Sequence, residues 1–172
     1  MLFRSQFLLI LPILLANSLT NTMAASDLRK APVGTKIETK KGFSFSLFFR
    51  SQDGHEIWKD ETSGILWSDR ISKRIRRLGA EKLCSEKIAG ENFVEKEHLN
   101  ELPGLDDFLL AEKHGMREVL PNIQDSYYWI RSSVPDAPNI GHVFSGNLGK
   151  PILIVYRSIN FENVRCISRL KK

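Results

Sequence analysis

The chain has 172 residues, 42% hydrophobic and 26% charged, with 25 Lys and Arg against 20 Asp and Glu and only two cysteines. That is the composition of one ordinary globular domain, and it excludes a disordered tail, a solenoid array and a multi-domain enzyme.

The first residues carry one charge, Arg4, followed by ten residues from Phe7 to Ala16 without a polar group. A bilayer span needs about 20 apolar residues, so this run suits the core of an export signal. Small residues at Thr22 and Ala24 fit cleavage after Ala24, with cleavage after Ala25 or an uncleaved anchor as the alternatives. No cysteine lies near the cleavage region, which excludes a lipoprotein anchor. The chain therefore reads as a signal peptide over 1–24, a flexible leader over 25–41 and a single domain over 42–172. Removing residues 1–24 takes away Arg4 alone among charged residues, leaving 148 residues with 24 basic and 20 acidic side chains.

In the domain, Phe43, Phe45, Leu47 and Phe49 alternate with Ser44, Ser46 and Phe48, which predicts a strand with one strongly apolar face. Asp53-Gly54 signals a hairpin into a second strand, His55 to Lys59, bearing Trp58. Asp60 to Gly64 is a second turn, before a short strand Ile65-Leu66-Trp67. Residues 68–78 are basic, and Ile71, Ile75 and Leu78 fit helical spacing. A helix follows with Ala80, Leu83, Cys84 and Ile88 on one face, ended by Gly90. After Leu102-Pro103-Gly104, Leu105, Phe108 and Leu109 predict a second short helix with Asp106 and Asp107 in its first turn, where the macrodipole favours anions. Gly115 ends it, and 116–120 offers one further turn. From Tyr127 the pattern is of strands: 127–133, 142–145, 152–156 and 164–168. Strands, two helices and strands again describe an α+β domain with a mainly antiparallel, twisted sheet.

Cys84 and Cys166 are the only sulfhydryls, and in an exported chain such a pair predicts one disulfide, two free buried thiols being the alternative. Cys84 lies on the core face of the first helix. Around Cys166, Val164, Cys166 and Ser168 alternate with Arg165, Ile167 and Arg169, a strand near the C-terminus. The bridge is expected to tie helix to last strand.

The segment Trp58-Lys59-Asp60-Glu61-Thr62-Ser63-Gly64-Ile65-Leu66-Trp67 resembles the Asp-x-x-Thr-Gly-Leu-x-Trp opening of the C-terminal domain of bacterial collagen-like adhesins, the Lcl C-terminal domain family. Further segments follow in that family's order: the Cys84 helix, Leu102-Pro103 before Asp106-Asp107-Phe108, Tyr128-Trp129 with Ser132-Ser133, Phe144-Ser145-Gly146, and Val164-Arg165-Cys166. Together they cover about residues 55–169. The resemblance implies a C-type-lectin-like fold, which also bridges its first helix to its last strand. The chain departs from the family at Glu101, where an Arg usually precedes Leu-Pro, and at Ile130-Arg131, which interrupts Tyr-Trp-Ser-Ser.

Catalytic signatures are absent: there is no Gly-x-Ser-x-Gly elbow, phosphate loop, Gly-x-Gly-x-x-Gly or His-Glu-x-x-His. His55, His98, His114 and His142 are scattered singly and read as surface residues. Calcium-dependent lectins use a Glu-Pro-Asn or Gln-Pro-Asp loop followed by Trp-Asn-Asp. Here the loop reads Pro135-Asp136-Ala137-Pro138-Asn139 with no such sequel, too few oxygen ligands for a 6–8 coordinate ion, so no metal or other cofactor is expected. The same fold serves formylglycine-generating enzymes, which need reactive cysteines. With both sulfurs in a bridge, that activity lacks a nucleophile. An acid pair among Asp106, Asp107 and Glu112 is the remaining hydrolase option.

The reading is an exported bacterial protein, secreted or at the periplasm or cell surface. It acts as a non-catalytic recognition or adhesion module for a cell-surface glycan or protein, with no nucleic acid partner and no membrane span. Its ligand site is placed on the loops between 134 and 151, with Asp136, Asn139, His142, Asn147 and Lys150, flanked by Arg131 and Arg157. The alternative is electrostatic docking to an anionic envelope polymer through Lys73, Arg74, Arg76 and Arg77, whose bland role is a solvated face.

Overall fold

The phenylalanine-rich segment at 43–49 folds as a strand, but its alternation fails half-way. Phe45 and Leu47 are fully buried, whereas Phe49 is 37% exposed. A register shift between Leu47 and Phe49 explains this. The extra residue of a bulge turns the following side chains to the opposite face, and Phe48 packs on a second core instead. A uniform period of two cannot foresee that switch.

The computed structural model describes residues 30–69, 71–86, 98–120, 123, 126–131, 140–155 and 162–171. Its strands are β1 (Lys36–Glu38), β2 (Ser44–Arg50), β3 (Glu56–Asp60), β4 (Leu66–Ser68), β5 (Ile71–Ile75), β6 (His98–Glu101), β7 (Tyr127–Trp129), β8 (Ile140–Ser145), β9 (Lys150–Val155), β10 (Glu162–Val164) and β11 (Ile167–Leu170). The helices are α1 (Arg77–Glu86) and α2 (Leu105–Lys113), with a 3-10 turn at Met116–Glu118. The fold is α+β, as expected, but with two sheets rather than one. The first runs β1-β2-β3-β4-β11-β6 and the second β5-β10-β7-β8-β9. Among the described residues every pairing between these strands is antiparallel except β10 with β7.

Both sheets feed two cores. Phe45, Leu47, Trp58, Trp67, Phe108, Tyr128 and Phe144 belong to one; Ile57, Leu66, Ala80, Trp129, Val143, Val164 and both cysteines belong to the other. Adjacent residues such as Ile57 and Trp58, or Tyr128 and Trp129, therefore serve opposite cores. This is why β4 and β7 show no apolar–polar alternation.

The chain changes sheets between β10 and β11, at Arg165 and Cys166, so the expected single strand over 164–168 is two strands with a step between them. Arg165, on the opposite face from Cys166 in the alternation, is fully buried. Its guanidinium donates to the Ser68 carbonyl at 2.7 Å and lies over the Tyr128 ring at 5.3 Å, two contacts that offset part of its desolvation. The expected disulfide is present at this step: Cys84 of α1 is bonded to Cys166, with Cα atoms 5.2 Å apart. Cys166 and Ser68 hold the step in register, through Cys166 N–H to Ser68 Oγ at 2.8 Å and Ser68 N–H to the Cys166 carbonyl at 2.9 Å.

Three other expectations are corrected. The leader is paired chain at 36–38, because β1 joins β2, and Ala31 and Thr39 are buried. Residues 71–75 form β5 rather than helix, since β10 offers Ile71 and Ile75 a ladder and a second core. On α2, Phe108 and Ala111 are buried while Leu109 is 43% exposed; the inward stripe is narrower than the sequence spacing suggested. The Ala80 and Cys84 face of α1 is buried as expected, and Ile88 and Gly90 lie outside the described residues.

Gly146 marks a close backbone approach. A Cβ there would stand 1.5 Å from the Ile123 carbonyl oxygen, so Gly146→Ala must displace backbone and is expected to cost about 3 kcal/mol. Gly54, with φ +80° but open space around it, is the control; Gly54→Ala should cost about 1 kcal/mol for the left-handed conformation alone. Urea unfolding of both variants measures the difference. Equal losses would mean that the Gly146 contact relaxes.

Candidate functional site

Of the sequence-derived ligand residues, Arg131, Asn147 and Lys150 lie wholly within the described residues, and they fall at two ends of the second sheet. Tyr127, Ser145 and Lys150 are register partners across β7, β8 and β9, so Lys150 and exposed Asn147 mark one end of the second sheet. Arg131 follows β7 four residues beyond Tyr127, a strand distance of about 13 Å, and stands at the other end. Arg117 ties the first end down by donating to the Asn147 carbonyl at 3.0 Å. Asp136, Asn139 and Arg157 lie outside the described residues, as does the side chain of His142, which β8 carries.

The basic cluster spans the junction of β5 and α1. Lys73 and Arg74 belong to β5, with side chains outside the described residues, while Arg77 opens α1. Arg76 between them is exposed. Arg77 is engaged by Glu81 one turn on, at 3.4 Å.

What the structure does bring together is a cluster of two arginines and two carboxylates where the edge of the first sheet, the start of α2 and the exit of β7 meet. Glu101 is the last residue of β6. Its carboxylate pairs with Arg131 and with Arg169 Nε of β11 at 2.8 Å. Arg169 also reaches Asp107 Oδ2 at 2.9 Å. The same oxygen accepts the Gly104 N–H at 2.8 Å, closing the first turn of α2. The Arg131 backbone is held as well: its N–H donates to the Pro103 carbonyl at 2.8 Å, and it forms a parallel bridge with Gly104.

The Arg131 side chain is 47% exposed while its carboxylate partner Glu101 is only 14% exposed. Its inner side is desolvated and Arg169 adds like charge, and both effects lower the Arg131 guanidinium below its ordinary value. Arginine nevertheless remains a cation in proteins. The cluster is therefore a guanidinium locked from below and from its backbone, with an outer edge in solvent. Such a group can donate to anionic or polyhydroxylated ligands with little further ordering. Sequence reasoning singled out Arg131 but neither its partner Glu101 nor Arg169, which shares that carboxylate. They are separated by 30 residues or more, and no local spacing announces the contact.

A second polar centre is buried in the core. Asp60 Oδ1 accepts the N–H groups of Thr62 and Ser63 at 3.0 and 3.3 Å, and Oδ2 accepts the Ser63 hydroxyl at 2.7 Å. Oδ2 also meets His114 Nδ1 at 2.6 Å. His114, expected at the surface, is 4% exposed and stacks on Phe43 with ring centroids 4.1 Å apart. Its carbonyl accepts the Thr39 hydroxyl at 2.9 Å. This centre fastens the Asp60–Gly64 turn, the end of α2 and residues 39–43 to one another, which is a packing task. Of the acids weighed for hydrolysis, Asp107 is committed to Arg169 and Glu112 to Arg117 at 2.8 Å.

Among the described residues no group of three or more His, Cys, Asp or Glu is arranged to hold a metal ion, and no helix is long and apolar enough to cross a membrane. Comparisons with protein-family models, with curated proteins and with solved structures found no match for this chain.

Proposed function

We propose that the chain is an exported, non-catalytic recognition module binding a cell-surface or envelope ligand, with a glycan as the leading class. The observation that carries this reading is Arg131: half-exposed, yet fixed by Glu101 at its guanidinium and by Pro103 at its backbone. Preorganised donors of this kind lose little entropy on binding. The order of motifs shared with the Lcl C-terminal domain family supports, as a finer proposal, a lectin-like architecture at a bacterial surface. The apolar run at 7–16 supports export, as does the disulfide. Docking by charge through residues 73–77 is less favoured, because Arg77 is already paired with Glu81.

A glycan-array screen of the processed chain, with and without calcium, tests the proposal. Arg131→Ala is expected to lower the strongest signal about tenfold or more, as loss of an anchoring arginine does. Arg131→Lys should not restore it, because a point charge cannot replace the planar fork. Undiminished binding by Arg131→Ala removes this site from consideration. Collapse of binding between low and moderate ionic strength would transfer the role to the basic cluster.

A further inference from the structure

The charged cluster around Arg131 is balanced within itself: the guanidiniums of Arg131 and Arg169 face the carboxylates of Glu101 and Asp107. The cluster therefore holds no surplus charge for an anion. Glu101 stands at its centre, bound through one oxygen to Arg131 and through the other to Arg169. Each carboxylate oxygen carries two lone pairs, so each keeps acceptor capacity beyond its arginine. At 14% exposure the Glu101 carboxylate still reaches solvent, beside the half-exposed Arg131. A donor and an acceptor, both held in place, are thus presented side by side. An apolar group adjoins them. Leu99 and Glu101 are two residues apart on β6, so their side chains leave the same face of the strand about 7 Å apart. Leu99 is exposed and is the register partner of Arg169.

We infer that Glu101 is the specificity-determining residue of this site, and that the ligand it selects is an uncharged sugar bearing adjacent hydroxyls. The inference rests on Arg131 being the recognition site proposed above. A hydroxyl both donates and accepts, whereas a carboxylate or sulfate only accepts. One hydroxyl of the sugar accepts from Arg131, its neighbour donates to Glu101, and the C–H face of the ring covers Leu99. An acidic sugar in the same place would satisfy Arg131 but leave Glu101 without a donor. It would also hold its charge within about 5 Å of Glu101, since both anions would bond to one guanidinium. Like charges so close in a partly desolvated site repel more strongly than in water, and the wrong ligand is rejected by that repulsion. Arg169 is a positioning residue, which fixes the second oxygen of Glu101 and is itself anchored by Asp107.

Binding of neutral gluco-, galacto- and manno-oligosaccharides is compared with that of their 6-sulfated counterparts, so that each pair shares one skeleton. The unmodified protein is expected to favour the neutral member by about tenfold or more, and Arg131→Ala to abolish the preference. Glu101→Gln keeps the shape of the side chain and removes its charge. It should weaken the neutral member and strengthen the sulfated one, so that the preference disappears or reverses, while thermal unfolding shows the variant to be folded. A loss of stability alone would not move that ratio. A preference for the sulfated members that vanishes in Arg131→Ala leaves recognition at Arg131 standing and overturns this inference alone. Binding of neither member through Arg131 overturns both. Equal weakening of both members by Glu101→Gln would mean that Glu101 only holds Arg131 in place, and overturns the inference too. If Glu101→Gln does not fold, the preference of the unmodified protein decides alone.

Discussion

Removing the Cys84–Cys166 bridge should lower the stability of the folded chain by about 4.5 kcal/mol, because a loop closed over 82 residues then regains its full entropy when unfolded. For a domain of this size that corresponds to a fall in Tm of roughly 9–18 °C. Both cysteines are fully buried, between α1 and the step at which the chain passes from the second sheet to the first. The bridge therefore also holds that step against the helix. Urea unfolding of the oxidised protein and of a Cys84→Ala, Cys166→Ala variant measures the effect. A difference below about 1 kcal/mol would show that the unfolded chain is already compact enough to bring 84 and 166 together. Burial adds a kinetic expectation. Reductant alone should attack the bridge slowly, and the rate should rise with denaturant, since the sulfurs become accessible only on opening.

Replacing Asp60 by alanine should cost about 3–5 kcal/mol, because it takes one buried acceptor from several donors at once, each worth about 1–3 kcal/mol when left unsatisfied. Asp60 is fully buried, and its carboxylate receives two backbone N–H groups, the Ser63 hydroxyl and His114. Alanine leaves all of them without their acceptor, each paying its own desolvation. His114→Ala should cost less, because it removes one donor and the Phe43 stack while Asp60 retains its three partners in the turn. The two changes touch one network, so their combined loss should fall short of the sum, with a coupling of about 1–3 kcal/mol. Additive losses in a double-mutant cycle would show that the two side chains stabilise the fold independently. Asp60→Asn keeps the shape and can still accept from the turn, so it separates the role of charge from that of hydrogen bonding.

Local pattern was a good guide wherever a residue's neighbours in sequence decided its environment. The α+β class, the helix bearing Cys84, the helix that begins after Gly104 and ends at Gly115, and the hairpin at Asp53-Gly54 follow from spacing, caps and turn chemistry. The disulfide was legible from arithmetic: two cysteines in a chain with an export-like start have only each other to pair with. Arg131 was legible as a candidate only because it flanks the Pro- and Gly-rich loops between 134 and 151.

Long-range pairing decided the rest. The two sheets, the step at Arg165 and the strand at 71–75 depend on which partner offers free backbone donors and acceptors, and a partner 87 residues away, such as Glu162 for Ile75, leaves no periodic trace. Double-sided burial hid the faces of β4 and β7, since a strand between two cores has no polar side to reveal its phase. The same holds for the polar centres. His114 and Asp60 are 54 residues apart, and Glu101 and Arg131 are 30 apart, so only folding brings these partners close enough to compensate their desolvation. Composition and spacing thus specify the elements and the bridge, whereas the charged cluster around Arg131 exists only once the strands have chosen their neighbours.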